Sequence, residues 1–196
     1  STHITSAQWL AHPGSVGRSV DGVLHIVDEA GAELGPGEVG TVFFADAPHF
    51  EYHNAPAKTA EAFSRDGWGT LGDVGYLDEE AYLYLTDRKA NMIISGGVNI
   101  YPQEAENILL GHADVLDAAV FGVPNEDFGE EVKAVVQLVP GRAPDADLQA
   151  QLIEYCRQRI ADIKCPRSVD FESELPRLPN GKLYKRQLKA RYWPSE

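Results

Sequence analysis

The sequence predicts an α+β protein in two parts: a mostly antiparallel β segment over residues 1–87, then a small α+β unit over residues 88–196. Three observations carry that reading. Up to residue 87, short stretches alternate apolar and polar side chains between glycine-rich turns, the period-two pattern of half-buried strands. From residue 88, β-branched runs alternate with stretches whose apolar residues recur at helical spacing. The charge balance changes at the same place, with 14 acidic and 3 basic side chains in residues 1–87 against 16 and 14 in residues 88–196. Only the second part has the cations to meet an anionic ligand.

In the first part, Gly22–Asp28 alternates as a strand should, and Gly31, Gly35-Pro36-Gly37 and Gly40 punctuate the turn into a second strand over Val39–Phe44. Ala57–Phe63 is expected as a short helix, ended by Asp66-Gly67, and Gly75–Glu80 and Ala81–Asp87 as two strands around an acidic turn. In the second part, Asn91–Ile94 is a short apolar run stopped by Ser95-Gly96-Gly97. Pro102 opens a helix over roughly 102–111, with Glu104 and Glu106 near its positive end. Val115–Val123 and Val132–Val139 are expected as strands around a polar Pro124–Glu131 loop. Asp145 would cap a helix running to about Ile160, followed by a strand near Val169–Phe171 and a final helix over Leu183–Tyr192.

Composition narrows the function classes. The 196 residues are 43% hydrophobic and 24% charged, which excludes disordered, collagen-like and coiled-coil chains. No apolar run approaches the ~18 residues of a transmembrane segment, so none is expected. A net charge of −13 argues against a general binder of nucleic acid or anionic membrane. Two cysteines, Cys156 and Cys165, are too few for a disulfide framework and point to a reducing, cytoplasmic compartment. Cys156 falls on the apolar face of its helix and reads as core.

Four stretches could carry chemistry. In Asp66-Gly-Trp-Gly-Thr-Leu-Gly-Asp73, the last carboxylate either offers two oxygens to a vicinal diol such as ribose or closes a turn. In Asp87-Arg88-Lys89-Ala90, the arginine fork either holds phosphate or ribose oxygens or belongs to a solvated linker. Ser95-Gly96-Gly97 follows a strand, where adjacent glycines either permit close approach of another chain or make a plain turn. Its spacing matches neither the dinucleotide fingerprint nor the Walker loop. In Glu174-Leu-Pro-Arg-Leu-Pro-Asn-Gly-Lys182, the Asn-Gly turn presents Lys182 at its tip, either as a mobile cation for a phosphate or as a surface lysine.

In this order and spacing, the four stretches resemble the adenylate-forming superfamily of acyl-CoA synthetases, adenylation domains and luciferases. Trp68…Gly72-Asp73 resembles W-x-x-T-G-D with Leu71 in place of Thr. Asp87-Arg88-Lys89 resembles the boundary between the family's large N-terminal and small C-terminal domains. Ser95–Pro102 resembles S-G-G-E-N-I-Y-P with Val98 in place of Glu, and Leu178–Lys182 resembles the P-x-x-G-K loop. The resemblance implies an AMP-forming ligase that takes a carboxylic acid, expected to be a fatty acid, ATP with Mg²⁺, and CoA. The acid attacks the α-phosphate to give acyl-AMP and pyrophosphate, and the CoA thiol then displaces AMP. By the same resemblance Asp73 and Arg88 bind the nucleotide and Lys182 is catalytic. Lys89 and Ala90 form the hinge, where Ala90 replaces the usual Asp or Lys. Ser95, Gly96 and Gly97 line the CoA tunnel, and no metal ligand is expected.

The family's upstream phosphate loop and its Y-G-x-T-E segment do not occur in these residues. The expectation is therefore the last β subdomain of a large domain (1–87) plus a mobile small domain (88–196), inactive alone and partnered by an N-terminal domain of the same polypeptide. Two other readings stay open. One is an adenylation domain that loads a carrier protein; the other is a non-catalytic module on the same scaffold, for which Leu71, Ala90 and Val98 would be signs of decay.

Overall fold

Alternating strands with one apolar face need a partner layer, and the computed structural model, which describes residues 1–46 and 49–193, supplies one in each of two units, Ser1–Ala90 and Asn91–Glu196. Composition changes at 87/88, whereas packing divides the chain at 90/91. The difference arises because the strand ending at Arg88 pairs back onto Asp73, and the Lys89 amide donates to the Gly72 carbonyl at 2.8 Å.

In the first unit, β1 (Thr2–His3) and β2 (Arg18–Ser19) form a two-stranded antiparallel ribbon around α1 (Ser6–Ala11). That helix was not expected from periodicity, but Thr5 and Gln8 close a reciprocal capping box at its start. The body of the unit is an antiparallel sheet of β3 (Leu24–Val27), β4 (Gly40–Phe44), β5 (Asp73–Leu77) and β6 (Leu83–Arg88), in that order. Leu24, Ile26, Val42 and Leu83 form its core. Between β4 and β5 lies α2 (Pro56–Glu61), which starts at a proline whose missing N–H costs nothing in a first turn. Gly75 is required by contact: a Cβ there would lie 2.3 Å from the Tyr84 carbonyl oxygen across the β5–β6 pair.

The second unit is laid out as β7 (Ile93–Ser95), β8 (Val98–Ile100), α3 (Pro102–Leu110), β9 (Val115–Asn125), β10 (Gly129–Leu138), α4 (Ala146–Arg157), β11 (Ser168–Glu172) and α5 (Lys185–Lys189). β10 pairs antiparallel with β9 along one edge, and on the other with parallel β11 and, at Gly129, with β7 of the β7–β8 hairpin. The parallel neighbour requires a crossover, and α4 provides it. Side chains alternate between two cores. Val120, Val132, Ala134 and Val136 pack with Leu109 of α3 and Leu148 and Leu152 of α4, whereas Phe121, Val123 and Val135 pack with Leu175 and with Leu188 of α5. Burial on both faces explains why β9 and β10 read as continuous β-branched runs.

Two expectations in this unit need correction. The Pro124–Glu131 segment is not a loop, because β9 and β10 continue to Asn125 and Gly129, and the Asn125 side-chain oxygen accepts the Asp127 and Phe128 amides to make a tight turn. The last helix covers only Lys185–Lys189, since Leu183 bridges to Arg177 and the Tyr184 amide donates to Pro176.

Candidate functional site

Asp73 opens β5 and Arg88 closes β6, and the register sets them directly opposite each other. Arg88 Nε lies 3.2 Å from Asp73 Oδ1, with the guanidinium largely exposed. The turn before Asp73 is held from below: the buried Thr70 hydroxyl donates to the Val42 carbonyl at 2.7 Å and accepts the Gly72 amide at 3.0 Å. Gly72 has a φ of +80°, a conformation open to glycine at no steric cost. Leu71, where the W-x-x-T-G-D pattern has threonine, is exposed. Trp68 stacks on His25 at 3.6 Å between ring centres and steadies the other end of the same loop. The result is a rigid turn carrying a carboxylate and a guanidinium side by side, a donor–acceptor pair suited to a polyhydroxyl or phosphate ligand. Lys89 and Ala90 follow at once in an exposed 3₁₀ turn, Lys89–Asn91, where the chain passes from one unit to the other.

In the second unit Ser95 is buried at the end of β7, and Gly96 and Gly97 turn the chain with φ of +55° and +79°. The Gly96 amide donates to the Phe128 carbonyl at 2.9 Å, which fixes this turn against the tip of the β9–β10 hairpin. Val98, next in line, is exposed.

Lys182 is exposed on a small hairpin. The Gly181 amide donates to Leu178 and the Leu178 amide to Lys182, both at 2.8 Å, with Gly181 at φ +81°. Asn180 accepts the Lys182 amide through its side chain at 3.1 Å. Arg177 reaches back to the Gly181 carbonyl at 2.7 Å and also pairs with Asp117 of β9. Three residues beyond Lys182, the Lys185 ammonium lies 2.6 Å from Glu106 Oε1.

The structure therefore brings Asp73 and Arg88 together with Lys89 adjacent in the first unit. In the second it makes one turn of Ser95–Gly97 and presents Lys182 on a separate hairpin. Sequence reasoning missed Glu106 and the Arg177–Asp117 pair. A signal for Glu106 existed: it lies four residues after Pro102 and three before Leu109, on the buried stripe of α3. Among the described residues, no three His, Cys, Asp or Glu side chains converge as a metal site, and no helix is long and apolar enough to cross a membrane. Burial pushes the Cys156 thiol up to about 12, as befits a core residue.

The family described as the AMP-binding enzyme C-terminal domain matches residues 104–182. The fatty acid–[acyl-carrier-protein] ligase ScoC of Streptomyces coeruleorubidus is 42% identical over 170 residues, 86% of this chain and 32% of that protein. The long-chain-fatty-acid–CoA ligase FadD13 of Mycobacterium tuberculosis is 39% identical over 194 residues, 97% of this chain and 37% of that protein. Among solved structures, ATP-bound MatB from Rhodopseudomonas palustris superimposes with a TM-score of 0.79 at 34% identity, over 92% of this chain and 36% of that one. The o-succinylbenzoate CoA synthetase MenE of Bacillus subtilis, with its acyl-adenylate bound, gives 0.79 at 32% identity over 95% of this chain and 37% of that one. The chain thus spans about a third of the length of the relatives it matches. With the motifs in order, the two sheets in place and both units aligned to these enzymes, the chain belongs to the adenylate-forming ligase family and corresponds to the C-terminal portion of its members.

Proposed function

We propose that this chain is the C-terminal part of an AMP-forming acid–thiol ligase that activates a carboxylic acid, of the fatty acid class, and passes it to CoA. The observation that carries the reading is the Asp73–Arg88 pair on the last two strands of the first unit, held by the Thr70–Gly72 turn. In this reading the Asp73 carboxylate accepts both ribose hydroxyls of ATP, and Arg88 donates to ribose or phosphate oxygens. Lys182, mobile and cationic at its hairpin tip, bridges the substrate carboxylate and the α-phosphate. It offsets negative charge that grows as the carboxylate oxygen attacks and pyrophosphate leaves. Mg²⁺ enters with ATP as its phosphate-bound counterion. The phosphate loop and acyl pocket would come from an N-terminal portion of the same polypeptide, in a reducing, cytoplasmic compartment.

The second step is assigned to the Ser95-Gly96-Gly97 turn, beside which the CoA pantetheine would pass. Changing between the two steps is assigned to the Lys89-Ala90 turn, which lies where the units divide. Ala90 brings no side-chain charge to that pivot, so it would act through φ/ψ change alone. The fatty acid class is supported by the names of FadD13, ScoC and the long-chain ligase of Bacillus subtilis. A carrier-protein acceptor is the second reading, favoured by the 42% identity to ScoC.

The test is a product analysis on the polypeptide that carries this chain, supplied with ATP, Mg²⁺ and a panel of carboxylic acids. AMP, pyrophosphate and an acyl-CoA thioester are expected, with a long-chain acid preferred. A thioester formed only on a phosphopantetheinyl carrier protein would move the assignment to the second reading. ADP and phosphate as products would overturn both.

A further inference from the structure

Glu106 is the only acidic side chain buried among the described residues, and its surroundings explain why a charge is tolerated there. Among the described residues β9 is an edge strand, its one strand partner being β10. Its Val120 amide donates to Glu106 Oε1 at 2.7 Å, so the carboxylate satisfies a backbone group at the open edge. The same oxygen takes the Lys185 ammonium at 2.6 Å, from the helix that covers the opposite face of the sheet. Each end of the Lys182 hairpin is thereby tied to β9. Arg177, on the entering leg, pairs with Asp117 of β9 while holding the Gly181 carbonyl. Lys185, the first residue of α5 just beyond the leaving leg, reaches β9 through Glu106. The hairpin has little apolar burial of its own: Leu178, Pro179, Asn180, Gly181 and Lys182 are all exposed.

We propose that Glu106 and Lys185 are positioning residues for Lys182. Together with Arg177 and Asp117 they make a two-point ionic clamp that fixes the hairpin on β9 and so fixes the reach of the catalytic ammonium. The proposal rests on the role given to Lys182 above and adds what holds it in place. A flexible lysine gains rate only if its ammonium is near the reacting atoms at the moment of attack, and misplacement by about 1 Å costs on the order of 10²-fold. The clamp joins α3, β9 and the two ends of the Lys182 hairpin within the second unit, so its loss should fall on the half-reaction that needs Lys182.

The primary variant is Lys185→Met, which keeps the side-chain stem and removes the charge. Hydrogen exchange on the 196-residue chain reads the clamp without reference to activity. The Leu178, Gly181 and Tyr184 amides, all hydrogen-bonded in the hairpin, should exchange ~10-fold faster or more, while Val135 and Val136 in the core stay unchanged. Lys185→Arg should restore protection, and Glu106→Gln, which keeps an acceptor for Val120, should give a smaller effect in the same direction. Unchanged exchange in the hairpin overturns the proposal, as does equal acceleration in hairpin and core. In the polypeptide carrying this chain, Lys185→Met should slow acyl-AMP formation ~10²-fold through kcat while leaving thioester formation from supplied acyl-AMP within about twofold. Equal loss in both steps would also overturn it. A wild-type protein that forms no acyl-AMP from any acid, yet shows the exchange response, would refute the ligase reading and leave the clamp standing.

Discussion

Replacing Asp73 by asparagine separates a binding role from a structural one, because the two predict effects of different size. The change preserves shape and leaves an amide oxygen for Arg88, while removing one negative charge. The structural stake is small. The pair is 3.2 Å long, with the arginine side chain 62% and the aspartate 29% exposed, and such pairs contribute about 0–1 kcal/mol. For a chain of this size that is a shift in Tm of no more than ~2–4 °C. The binding stake is larger. A ribose hydroxyl bonded to a carboxylate contributes about 1.5–3 kcal/mol against about 0.5–1.5 to a neutral amide oxygen, so the change removes about 1–1.5 kcal/mol, or roughly 5- to 13-fold in affinity. ATP–pyrophosphate exchange over a range of ATP concentrations, on the polypeptide carrying this chain, should show KM for ATP raised by that factor. A thermal melt should scarcely move. An unchanged KM would refute the ribose-binding role, and a large drop in Tm would mean that Asp73 is structural.

Other expectations follow from the same structure. Burial that lifts the Cys156 thiol to about 12 keeps it neutral through the physiological range, so iodoacetamide at pH 8 should label it only after denaturation; rapid native labelling would contradict the packing. Burial pushes the Asp170 carboxyl up, but hydrogen bonds from the Tyr192 hydroxyl (2.6 Å) and Lys133 outweigh it and leave it below its ordinary value. A depressed carboxyl contributes stability above the unfolded value of 3.8 and loses it as pH falls through the folded one. Tyr192→Phe should therefore cost on the order of 1 kcal/mol in urea unfolding at neutral pH, with the difference shrinking as the pH is lowered below 4. A cost that does not vary with pH would mean that Tyr192 acts by packing alone.

Local patterns were legible where chemistry is local. Asp145 does cap α4, its carboxylate accepting the Leu148 amide at 2.7 Å, and Pro102 does open α3. Alternation located β3, where Leu24 and Ile26 are buried and His25 between them is not, and the glycine-rich and acidic turns bracketed β4 to β6. What could not be read was register, and the pairing of strands distant in sequence. Nothing near residue 170 says that β11 will lie parallel to β10, and nothing near residue 88 says that Arg88 will face Asp73 across a pair with a bulge at Val74/Gly75. Two-residue strands such as β1 and β2 carry no period at all. Glu106 was hidden for a further reason: two glutamates near a helix start fit the helix dipole equally well, and only tertiary burial separates Glu106 from Glu104, which pairs with Lys164 near the surface.

Lys182→Ala, followed by separate assay of the two half-reactions in the polypeptide carrying this chain, distinguishes a catalytic Lys182 from a merely exposed one. Loss of a charge that acts only in the first transition state should lower acyl-AMP formation by ~10²–10³-fold. Thioester formation from supplied acyl-AMP should continue at close to the wild-type rate. Equal loss of both steps, or retention of both, would contradict the assignment of adenylation chemistry to this hairpin.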